Sequence, residues 1–202
     1  MALNLAKGGS LSLRKSNGSV LTRAIVELFW SPNGAKAPYD LDATALLATA
    51  DLSNPNDFGK ANGTDDVCYY GQPQTRAIQH VKGDNRNGQS AAGEPDEIMQ
   101  MDLNAVPAEF NVIPVFITID SAAQRGQTFA DVQDPHAILK DADTGEVLAR
   151  VDLTGLAAGS TGAIFVVLKR EAQGWKAENV SMGFPGKDLL SFLTLYGVDA
   201  HY

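Results

Sequence analysis

Along most of the chain, apolar positions alternate with polar ones or gather into short β-branched runs. Leu11 and Leu13 flank Ser12, while RAIVELFW (Arg23 to Trp30) and AIFVVLK (Ala163 to Lys169) have strand length and are rich in Ile, Val and Phe. EIMQMDL puts Met99, Met101 and Leu103 on one face of a strand. VIPVFITI (Val112 to Ile119) is apolar on both faces and predicts a buried strand. Pro114 cannot donate to a ladder, so this strand is expected at a sheet edge or beside a bulge. HAILKDADTGEVLARVDL predicts a hairpin across DADTGE, and VVLKREAQGWKAENV another across EAQG.

Helical spacing is confined to Lys187 to Tyr196, KDLLSFLTLY, where Leu189, Leu190, Phe192, Leu193 and Tyr196 form an apolar stripe and Gly197 stands at the C-cap. A shorter helical turn is expected near AQRGQTFADV. LSNPNDFGKANGTDD (Leu52 to Asp66) predicts a loop too central to be a domain linker. Many short strands without βαβ alternation indicate an all-β fold, an antiparallel two-sheet β-sandwich with a short C-terminal helix, in a single domain spanning residues 1–202.

Composition narrows the function. The 202-residue chain is 44% hydrophobic and 20% charged, which suits an ordinary globular domain. A net charge of −8 with scattered Lys and Arg argues against nucleic-acid binding and favours cations. Cys68 is single, so no intrachain disulfide forms. No apolar run reaches the length of a membrane span and the first twenty residues lack a signal-like core, which makes a cytoplasmic location the expectation.

The candidate chemistry lies in two acidic stretches. In YDLDA, strand alternation turns Asp40 and Asp42 to one face, roughly 7 Å apart. Two carboxylates facing water at a strand start would look the same. VKGDNRNGQSAAGEPDE (Val81 to Glu97) adds a glycine-rich loop bracketed by Asp84, Asn85, Asp96 and Glu97. Calcium takes six to eight oxygen ligands and favours such turns, whereas magnesium keeps its waters and demands octahedral geometry. A solvated hairpin loop is the alternative. Counting from Asp84, the third position is Arg86 and the twelfth Pro95, which excludes an EF-hand. DADTGE is accounted for by its hairpin.

Catalytic signatures are lacking. There is no phosphate-binding glycine loop, nucleophile elbow or zinc-protease helix. His80, His136 and His201 stand apart in the sequence, and Cys68, Trp30 and Trp175 are expected in the core. No nucleophile, base and oxyanion donor can be assembled, so an enzyme is not expected.

Several motifs run in order along the whole chain: LAKGGSLSL, then Trp30 and YDLDATALL, HVKGDNRNG and DEIMQMDLNAVP, VFITI and FADV, and a final LKR, Trp175 and Tyr196-Gly197. Together they resemble the TerD family of tellurium-resistance and stress proteins. The resemblance implies a β-sandwich that binds Ca2+, with Asp40 and Asp42 as the paired strand aspartates, Asp84 and Asn85 from GDN, and Asp96 and Glu97 as closing acids. The chain departs from the pattern in three places. Ser90 to Pro95 lengthens and dilutes the acidic run, Tyr69-Tyr70-Gly71-Gln72 replaces an amide-bearing motif, and Ser31 follows Trp30 where an Asp is common. One of two family-type sites is therefore expected to be weakened, with Glu94 as a substitute ligand.

Two functions follow. The first is a non-enzymatic calcium-binding domain in stress or tellurite resistance, whose ion fixes loops at one end of the sandwich and presents that end to a protein partner. The second is a structural or assembly subunit, capable of self-assembly, for example within a virion, prompted by the diluted loop and the Leu52 to Asp66 insert. Fold alone does not decide between them.

Overall fold

In the computed structural model, which describes residues 3–31 and 38–199, the alternating segments become twelve strands. They are β1 (Leu3–Asn4), β2 (Ser10–Ser12), β3 (Arg23–Ser31), β4 (Leu41–Leu46), β5 (Val67–Cys68) and β6 (Ile78–His80), followed by β7 (Glu97–Asp102), β8 (Val112–Ile119), β9 (Gln133–Asp141), β10 (Val147–Asp152), β11 (Ser160–Glu171) and β12 (Gly174–Pro185). One sheet has the order β1-β10-β9-β3-β7-β6 and the other β2-β12-β11-β8-β4-β5. Both expected hairpins form, β9–β10 and β11–β12. Pairing is antiparallel except at the short β1, which runs parallel to β10.

The layer between the sheets is filled by inward residues of both, among them Val26, Leu28, Met99 and Met101 from one and Leu41, Ala43, Val115 and Ile117 from the other. Trp30, Trp175 and Cys68 are in this core. His201 lies outside the described residues.

The second sheet is also covered on its outer face. There α2 (Leu189–Leu195) packs Phe192 and Leu193 with Phe116, Ile164 and Val167. Phe116 stacks on Phe192 with ring centroids 4.6 Å apart and on Tyr196 at 5.7 Å. Asp188 caps the helix by accepting the Ser191 N–H at 2.8 Å, and Gly197 closes it at φ 77°. This double cover explains why VIPVFITI is apolar on both faces. Leu190, one of the predicted stripe, is instead exposed. The expected turn is α1 (Ala122–Arg125).

Pro114 is not at an edge, since β8 lies between β4 and β11. The β4–β8 ladder runs from Leu41↔Ile119 to Ala45↔Val115 and resumes only at the Ala48↔Val112 bridge, leaving the proline in the gap. A bulge on β11 between Ile164 and Val166 falls beside it. An interior strand thus tolerates the missing donor because the ladder lapses where the donor would be needed.

Candidate metal centre

The outer face of β4 runs past the end of α2. Asp42 pairs with Thr118 and Thr44 with Phe116, so the row that meets the helix at Phe116 continues to Thr118 and Asp42. The Asp120 N–H donates to the Asp40 carbonyl at 2.8 Å, extending the pairing one step further. Trp30 Nε1 donates to the Tyr39 carbonyl at 3.0 Å and fixes the chain just before Asp40.

Asp84 comes from the loop between β6 and β7. Its carboxylate oxygen and one each from Asp40 and Asp42 lie within 4.8 Å of one another. Asp40 and Asp42 are buried, whereas Asp84 is exposed and accepts a bond from Arg86 Nε at 2.9 Å. The cluster floors a pocket of about 270 Å³ whose rim includes Asp120, Arg86 and Arg125.

The other sequence-predicted residues are placed differently. Asn85 Nδ2 donates to Asp96 Oδ1 at 2.8 Å and to Ser90 Oγ at 2.9 Å, while its Oδ1 accepts the Asn87 and Gly88 N–H groups. Asp96 also accepts the Trp30 N–H at 3.0 Å. Both side chains are engaged in holding the loop together. Glu94 projects into solvent with its carboxylate 3.9 Å from Lys82 Nζ. Glu97 is buried behind β4, where its Oε2 accepts the Ala43 N–H at 2.6 Å and lies 3.5 Å from His80 Nε2. Gln72, at the place of the missing amide motif, donates to the Thr64 and Val67 carbonyls and tightens its own turn. Ser31 ends β3.

Two residues at the site were not singled out in the sequence, Thr118 and Asp120. Their signal is the polar alternation at the end of VIPVFITID, and only the register against β4 turns it into a site.

Burial and crowding shape the electrostatics. Asp40 is pushed up to about 6, first by burial and then by Asp84 and Asp120, with Arg86 and Arg125 opposing. Asp42 is pushed up to about 9 by burial, then by Glu97, Asp40, Asp84 and Asp120. Burial also raises Glu97, against the pull of His80 and the Ala43 N–H. Asp40 Oδ1 is buried with no hydrogen-bond partner among the described residues. A hard-oxygen donor set with an orphaned carboxylate oxygen fits a hard divalent cation.

Known proteins share this architecture. The TerD domain profile matches residues 1–196. Tellurium resistance protein TerD of Serratia marcescens is 32% identical over 203 residues, covering 99% of this chain and 100% of the relative. General stress protein 16U of Bacillus subtilis is 31% identical, covering 98% of each. The crystal structure of a homologue of telluride resistance protein from Streptomyces coelicolor A3(2) superposes with a TM-score of 0.67 at 22% identity, over 84% of this chain and 94% of that one, and so shares its fold. The chain belongs to the TerD family.

Proposed function

We propose that the chain is a non-enzymatic calcium-binding domain of the tellurium-resistance and stress type. In this reading Asp40, Asp42 and Asp84 hold the ion, with Asp120 in reach of its outer coordination. The bound ion fixes the ends of β4 and β8 and the Asp84 loop, and presents that end of the sandwich to a protein partner.

The observation that carries the reading is the convergence of three carboxylates, two of them buried, one of which, that of Asp40, has an oxygen that no described residue satisfies. Without a cation, burial and mutual repulsion keep protons on the cluster. A dication reverses both terms. Calcium is favoured over magnesium because the carboxylates come from a strand and a separate loop around a pocket of about 270 Å³, which leaves room for the further oxygen ligands of a large coordination shell.

The pocket lining offers carboxylates and guanidinium groups, which suit the holding of a cation. Cys68 is buried and its thiol is pushed up to about 12, which makes it a poor nucleophile.

Isothermal titration tests the assignment. Calcium should give saturable heat, magnesium little or none, and Asp84→Ala should abolish the calcium signal. Unchanged calcium binding by that variant would remove these residues from the site.

A further inference from the structure

The pocket above the acid cluster opens into a larger groove of about 650 Å³, and the two share Asp42, Tyr70 and Asp120 as walls. That volume is in the range that holds a small organic molecule. The groove runs between the segment after β8 and the start of α2, so a ligand in it would lie directly beside the cation.

Three features describe the ligand. Thr118 lines the groove opposite Asp42, is 1% exposed, and has a hydroxyl with no hydrogen-bond partner among the described residues. A buried polar group without a partner is costly, and a polar ligand would satisfy it. Thr128 lines the same walls, as do Ser121 and Thr161, whose hydroxyls donate to Asp120 Oδ2 at 2.9 Å and to the Lys187 carbonyl at 2.8 Å and keep their acceptor lone pairs for a ligand. Tyr70 is 43% exposed at the junction of pocket and groove, with its ring edge-on to Tyr69 at 5.3 Å between centroids. An aromatic ring at that junction suits the C–H side of a saturated ring.

Charge sets the class. Around the cluster, Asp40, Asp42, Asp84 and Asp120 are opposed by Arg86 and Arg125, which leaves two negative charges that a bound dication cancels. In the groove Lys187 is offset by Asp188. The loaded site therefore has no surplus positive charge for an anion. Calcium takes six to eight oxygens, and neutral hydroxyls can fill the positions that three carboxylates leave open.

We propose that the groove is a calcium-dependent binding site for a neutral carbohydrate, whose adjacent hydroxyls complete the ion's coordination while its ring lies against Tyr70. The proposal rests on the calcium reading of the acid cluster, and the experiment separates the two.

The purified full chain is first melted in chelator and in calcium, then applied to an array of neutral, phosphorylated and sialylated glycans under both conditions. The expected result is a calcium-induced melting shift together with binding to neutral glycans that chelator abolishes. Tyr70→Ala should keep the melting shift and weaken glycan binding about tenfold, with Tyr70→Trp restoring it. A calcium-stabilised chain that binds no glycan, or only the charged ones, overturns the carbohydrate assignment and leaves the metal assignment standing. Binding that persists in chelator overturns the link to the ion. Absence of any calcium shift overturns both assignments.

Discussion

Glu97 on β7 accepts the backbone N–H of Ala43 on β4 across 2.6 Å, so a buried carboxylate of one sheet fastens the strand of the other that carries Asp40 and Asp42. Glu97→Ala would leave that N–H buried and unpaired, at a cost of about 1–3 kcal/mol. Glu97→Gln keeps an acceptor at the same place and should cost less than about 1 kcal/mol. Urea unfolding of the two variants checks the order, and equal losses would mean that the bond to Ala43 contributes little.

Asp42 should behave oppositely with and without the cation. Asp42→Asn removes a buried carboxylate crowded by Glu97, Asp40, Asp84 and Asp120, so the metal-free variant should melt at a higher temperature than the metal-free parent. It should also lose the calcium response. Calorimetry in chelator and in calcium reads both effects, and a lower midpoint in chelator would contradict the account.

The pH dependence has a definite sign. With Asp40 raised to about 6 and Asp42 to about 9, the metal-free native state keeps protons that the unfolded chain releases near pH 4. Their contribution to stability is therefore fully present below about pH 4, declines as pH rises, and is lost by about pH 9. Calcium needs the ionised forms, so its affinity should climb across pH 6 to 9 and binding should release protons. Titration in buffers of different ionisation heat would show that release, and buffer-independent heats would count against it.

Gly88 tests the loop rather than the ion. It sits at φ 63°, and a Cβ there would come within 2.5 Å of the Trp30 indole. Gly88→Ala should destabilise by at least about 1 kcal/mol and alter Trp30 fluorescence. A silent substitution would mean that the loop moves freely away from the indole.

Much of the fold was legible because strand alternation and hairpin turns are local properties, as in EIMQMDL and the DADTGE hairpin. For Pro114 the sequence left an edge or a bulge open; the bulge is there, on the neighbouring β11, together with a lapse in the β4 ladder that local sequence does not reveal. At the site, Asp40 and Asp42 follow from the period of two and Asp84 from its glycine-flanked loop. Asn85 and Asp96 look the same in sequence whether they face a cation or hold loop N–H groups, and here they hold N–H groups. Thr118 and Asp120 become visible only once β8 is set in register against β4.

The most direct test of the central claim is a thermal unfolding scan of the purified chain in chelator, in excess calcium and in excess magnesium. A ligand at about 100 times its dissociation constant stabilises by roughly 2.7 kcal/mol, a rise of roughly 5 to 10 °C for a domain of this size. The account predicts such a rise with calcium and a much smaller one with magnesium. Coincident curves in all three conditions would contradict it.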